Sequence, residues 1–162
     1  MPGLSNPAHS QLAPAWQVTE WLNSEVPLSL DVLRGRVVVL HAFQMLCPGC
    51  VQHGLPQAQR IHSHFDPAEV AVIGLHTVFE HHEAMTPVAL RAFLHEYRIA
   101  FPVGVDAPGS DGPLPQTMAA YGMRGTPSLV LIDRRGQLRR HSFGTDEDLA
   151  VGAAIATLVV ER

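Results

Sequence analysis

The run Val37-Val-Val-Leu-His-Ala-Phe43 is almost wholly apolar, rich in β-branched residues, and shows no alternation with polar positions. That pattern predicts a strand, Arg36 to Phe43, buried on both faces as in the middle of a parallel sheet. Glu69 to His76 repeats the pattern, and Phe101 to Val105 predicts a shorter third strand. Pro127–Ile132 and Gln137–Phe143 flank Asp133-Arg-Arg-Gly136, which reads as a hairpin turn. Upstream, Trp16 to Leu22 predicts a first short strand, and Pro27 to Gly35 a short strand, a helical turn and a glycine stop.

Between these runs the apolar spacing turns helical. Val51, Leu55, Ala58, Ile61 and Phe65 fall on one face of a helix from Pro48 to Phe65, with a kink expected at Gly54 and Pro56. Thr86 is placed to cap a helix with Pro87 in its first position, and Leu90, Phe93, Leu94 and Tyr97 form its apolar stripe. A short helix is expected over 116–121. Thr145-Asp-Glu-Asp148 matches a capping box for a last helix ending near Val160, with Leu149, Ile155, Leu158 and Val159 inward. The order β-α-β-α-β-(α)-β-β-α predicts an α/β fold, with a mixed central sheet and helices on both faces. Residues 1–15, rich in Pro, Ala and Ser, read as a loose tail ahead of one domain over 16–162.

Composition narrows the function. A chain of 162 residues suits one domain with a sizeable core. The net charge of −4 offers no electrostatic attraction to nucleic acid or an anionic membrane. No apolar run approaches the roughly 20 residues that span a bilayer. Met1 to His9 carries neither a basic nor an apolar signal region, so a cytoplasmic location is expected, or a periplasmic one if a leader has been removed.

The chain holds two cysteines, in Cys47-Pro-Gly-Cys50, directly after the first buried strand. Two cysteines three apart cannot frame a secreted disulfide scaffold; the spacing suits a redox dithiol or half of a metal site. A cysteine opening a helix faces free backbone N–H groups and the positive end of the dipole, which favour the thiolate, the species that attacks disulfides. Cys50, one turn on, is placed to resolve the mixed disulfide. Structural zinc would need a second Cys/His pair in a knuckle-like context, which the sequence lacks. His76, His81 and His82, with Glu80 and Glu83, are a candidate cluster for zinc or copper.

The strand before Cys47-Pro-Gly-Cys50, the phrase Leu90-Arg-Ala-Phe-Leu-His-Glu-Tyr-Arg-Ile-Ala-Phe-Pro-Val103, and Tyr121-Gly-Met-Arg-Gly-Thr-Pro-Ser-Leu-Val-Leu-Ile-Asp-Arg-Arg-Gly136 occur in this order. Together they resemble the thioredoxin-like superfamily, most of all the TlpA/ResA-like thiol–disulfide oxidoreductases, which overlap in pattern with the AhpC/TSA redoxins. The resemblance implies a thioredoxin-like fold over Trp16 to the C-terminus and a cis peptide before Pro127. It also implies that Pro127 and the Thr126 backbone lie against the dithiol, where extended substrate can be held. Leu46 stands where thioredoxins have Trp and, with Pro48, is expected to shape an apolar docking surface. His41 occupies the place of a buried acid that assists proton transfer in thioredoxins, often Asn in TlpA-like relatives. A buried neutral imidazole there could take the proton leaving Cys50, or serve only as a core residue. His53 stands where that branch often has Glu.

The implied activity is a thiol–disulfide oxidoreductase running as a reductase, with Cys47, Cys50, Pro127 and His41 catalytic and Thr126, Pro127, Leu46 and Pro48 binding substrate. Its partners would be a disulfide-containing protein or small thiol and a thiol donor, and it needs no cofactor beyond its own dithiol. The alternative is a copper or zinc carrier using the same cysteines and a loop histidine. Peroxidase chemistry of the redoxin type would need Thr three residues before the reactive cysteine, where this chain has Gln44.

Overall fold

A computed structural model describes residues 11–161. Seven strands form one mixed sheet: β1 (Gln11–Leu12), β2 (Val18–Leu22), β3 (Val37–Phe43), β4 (Val70–His76), β5 (Val103–Asp106), β6 (Ser128–Ile132) and β7 (Gln137–Phe143), in the order β1-β7-β6-β3-β4-β5-β2. The strand with the most continuous apolar run takes the centre. β3 pairs parallel with β4, from Val37 opposite Val70 to Phe43 opposite His76, and antiparallel with β6. Every residue of β3 and β4 is buried, as expected for strands covered on both faces.

The helices are α1 (Leu55–His64), α2 (Pro87–Glu96), α3 (Gln116–Ala120) and α4 (Asp148–Val160). One face of the sheet packs Val37, Val39 and Phe43 against Ala58 and Ile61 of α1, Leu90 and Leu94 of α2, and Ile155 of α4. The other packs Val38, Leu40 and Ala42 against Met118 of α3 and the N-terminal Trp16 and Trp21. β3 therefore ends between two sealed layers, and the chain leaving it must emerge at the rim of the sheet. The dithiol begins there.

Several local expectations change. Gln11–Leu12 pairs with β7 and Tyr121 Oη donates to the Pro14 carbonyl, so the expected tail is already anchored at residue 11; residues 1–10 lie outside the described part. Pro27 to Ser29 forms no strand, though the turn and the stop at Gly35 (φ +96°) are present. The kink expected at Gly54 and Pro56 is instead a π-helical turn, Cys50–Gly54, running into α1 without a break. The capping box over 145–148 does not form: the cap position is Glu147 with no side-chain hydrogen bond, because Asp148 turns to Arg60 and Gln57. Leu149 is exposed, and Val151 takes its inward place. The Thr86 cap is as expected, its Oγ1 accepting from the Ala89 N–H at 3.2 Å.

Candidate active site

Beyond Phe43 the chain makes a tight turn, Gln44-Met45-Leu46, closed by the Cys47 N–H donating to the Gln44 carbonyl at 3.2 Å. The helical turn then starts at Pro48, whose missing N–H is no loss in a first turn. This places both cysteines, as free thiols, on the opening turn. Cys47 is half-buried and Cys50 fully buried. The Cys50 N–H donates to Cys47 Sγ at 3.3 Å, one of the opening donors the sequence predicted, while Cys47 Sγ donates to the Thr126 carbonyl at 3.4 Å.

Burial is the first cause that pushes the Cys50 thiol up to about 12, and its hydrogen bond with Cys47 adds to it. Hydrogen bonds with the Gln44 backbone and the Thr126 side chain pull the other way. Cys50 is thus held as a thiol until its surroundings change, and the accessible sulfur is Cys47.

The Thr126–Pro127 peptide is cis. Pro127 packs so closely on the opening turn that a Cβ at Gly49 would lie 3.4 Å from its Cδ. Thr126 is half-buried with its carbonyl turned to Cys47, and Leu46 and Pro48 are exposed on either side. Cys47, Cys50, Leu46, Pro48, Thr126 and Pro127 therefore meet at one rim of the sheet.

His41 is buried under this turn with 3% exposure, and burial pulls its pKa down to about 4. Its ring stacks on Phe43 at 6.0 Å and lies under Gly54, where a Cβ would come within 2.4 Å of Cε1. Its Nε2 has no hydrogen-bond partner among the described residues, so no hydrogen bond links it to either cysteine. It borders a cavity of about 10 Å³ shared with exposed His53, Gly54, Pro127 and Asp146.

His76 is not part of a metal cluster. The ring is 1% exposed, and its Nε2 accepts the Met45 N–H at 3.3 Å, while His81, His82, Glu80 and Glu83 lie on the exposed loop beyond it. Among the described residues no three His, Cys, Asp or Glu side chains are grouped to hold a metal ion.

Two features escaped the sequence reading. The His76–Met45 bond is one; its only signal was His76 ending a strand in register with Phe43. The other is buried Asp106, which accepts from Thr77 Oγ1 at 3.0 Å and from the Thr117 and Met118 N–H groups at 2.8 and 3.0 Å. It joins the ends of β4 and β5 to the start of α3, and a lone Asp after a short strand gave no hint of it.

A dithiol on a helical opening turn, faced by a cis-proline at the rim of a mixed sheet, defines a thioredoxin-like oxidoreductase. The chain belongs to the AhpC/TSA family, whose sequence pattern matches residues 10–141. It is similar to a solved thioredoxin-like superfamily protein, at 63% identity over 93% of this chain and 97% of that one, with a TM-score of 0.91. A thiol-disulfide isomerase from Corynebacterium glutamicum is 51% identical over 93% of this chain and 98% of its own, with a TM-score of 0.88. The Homo sapiens NHL repeat-containing protein 2 is 32% identical over 74% of this chain, and DipZ of Mycobacterium bovis 29% over 78%. The chain spans only 16% and 17% of those two proteins. Among the described residues, no helix is long and apolar enough to cross a membrane.

Proposed function

We propose that the chain reduces disulfides of polypeptide or small-thiol substrates, with Cys47 as nucleophile and Cys50 as resolving thiol. The observation that supports this most is the contrast between the two sulfurs: one half-exposed beside the Thr126 carbonyl, the other sealed one turn deeper. The similarity to the Corynebacterium thiol-disulfide isomerase supports the same chemistry.

In the first step the Cys47 thiolate attacks a substrate sulfur. A Cys47–substrate bond forms, the substrate disulfide breaks, and the departing thiolate takes a proton from solvent. In the second, Cys50 loses its proton and attacks Cys47 Sγ, forming Cys47–Cys50 and releasing the second substrate thiol. A dithiol donor then returns two electrons and two protons to the pair. Thr126 backbone groups hold the substrate extended, and Leu46 and Pro48 flank it. His41 is the proposed transient carrier of the Cys50 proton, supported by its unpartnered Nε2 beneath that turn.

The test is insulin reduction driven by dithiothreitol, paired with the equilibrium of Cys47–Cys50 against glutathione. Turnover lost in Cys47→Ser, with a dithiol more reducing than glutathione, is the expected result. Equal activity in wild type and Cys47→Ser would overturn the assignment; a potential well above that of glutathione would reverse its direction to oxidant.

A further inference from the structure

His76 ends the strand next to β3 and stands opposite Phe43, the last residue before the dithiol turn. Its ring lies 5.1 Å from that of Phe43, and its Nε2 accepts the Met45 N–H. Two more bonds tie the same segments together. The Thr77 N–H donates to the Phe43 carbonyl at 3.1 Å, and Gln44 Oε1 accepts the Phe79 N–H at 3.2 Å. The Gln44-Met45-Leu46 turn is thus clasped from below by residues 76–79, with Met45 and Gln44 both buried.

A leucine would fill the space of a buried imidazole without the cost of burying a polar ring. What the imidazole adds is an acceptor for a backbone donor that the turn leaves out of the strand ladder. An accepting Nε2 requires the neutral ring with its proton on Nδ1, and burial, which draws the pKa of His76 down to about 4, keeps it neutral. The clasped turn also meets the dithiol: the Gln44 carbonyl accepts the Cys47 N–H, and Cys47 Sγ in turn accepts the Cys50 N–H at 3.3 Å.

We infer that His76 is a positioning residue for the dithiol: by accepting the Met45 N–H it sets the turn that holds Cys47, through the Gln44 carbonyl, where its Sγ accepts the Cys50 N–H. The inference rests on the thiol–disulfide reading, yet it concerns a property measurable without any substrate. An N–H aimed at Cys47 Sγ stabilises a thiolate there more than it does a disulfide sulfur, which is a weak acceptor, so the clasp holds the reduced pair in favour. When it is lost, the Cys47–Cys50 disulfide becomes relatively more stable.

The experiment measures the equilibrium of Cys47–Cys50 with glutathione in the full chain, for wild type, His76→Leu, His76→Gln, Gln44→Met and Gln44→Glu, with near-ultraviolet circular dichroism on each. The expected result is a disulfide favoured about fivefold or more in His76→Leu. His76→Gln, whose amide oxygen can still accept from Met45, stays within about twofold of wild type. Gln44→Met shifts the same way and Gln44→Glu does not, so the clasp remains testable if His76→Leu does not fold. Equal shifts in His76→Leu and His76→Gln, or none in either, would overturn the inference. Insulin reduction assayed alongside decides the functional reading separately, since the equilibrium is read whether or not insulin is turned over.

Discussion

Cys47 and Cys50 have the same chemistry and differ in burial, so their substitutions should fail differently. Cys47→Ser removes the attacking sulfur and should abolish turnover. Cys50→Ser should keep the first step and trap a Cys47–substrate mixed disulfide, visible as a mass increment that dithiothreitol removes. The two buried histidines make a second prediction. Each has a folded pKa near 4, depressed from 6.5 by burial. The unfolded chain therefore binds these protons first, and stability should fall as pH drops from 6.5 and level off below about 4. The gap corresponds to about 3 kcal/mol per ring as an upper bound. Urea midpoints between pH 7 and 4 measure it, and His41→Leu should remove about half of the slope.

At the scale of elements, the π-helical turn explains a glycine. Gly54 lies where a side chain would meet the His41 ring at 2.4 Å and the Pro127 Cβ at 3.1 Å. Gly54→Ala should cost about 1–3 kcal/mol by overpacking. In a His41→Ala background the added methyl finds space, so the same change should cost measurably less, which a double-mutant cycle of denaturant midpoints tests. Asp106 does for α3 what a capping side chain does at a helix start, from a neighbouring strand. Asp106→Ala would strand two buried N–H groups and the Thr77 hydroxyl. A loss of about 2–4 kcal/mol is expected from thermal or urea unfolding.

At the scale of the molecule, one sheet seals two layers and leaves the dithiol at the rim, where a half-exposed sulfur lies beside a buried cis-proline. The chemistry derived from this arrangement runs on two sulfurs. Dialysis against EDTA should leave insulin reduction and the unfolding midpoint unchanged; loss of activity restored by zinc or copper would contradict that. His76, the candidate loop ligand best placed by strand direction, has its Nε2 committed to the Met45 N–H instead.

The sequence alone determined the central strands, because β3 and β4 are continuous apolar runs that suit strands covered on both faces; their register came only with the fold. It determined the dithiol and its helical setting, because Cys47-Pro-Gly-Cys50 is local chemistry on a local turn. Resemblance added the cis bond before Pro127, which the structure bears out. The rest depends on partners far apart in the chain. Asp148 left its capping role because Arg60, 88 residues away, lies within 2.8 Å of it. His76 reads as a loop ligand in sequence and becomes a clasp only when β4 pairs with β3 and sets it opposite Phe43. His41 ends up stacked on Phe43 and under Gly54, with its Nε2 left without a partner among the described residues. Sequence fixes which groups are available, through local propensity and burial; only tertiary packing decides which buried nitrogen finds which donor.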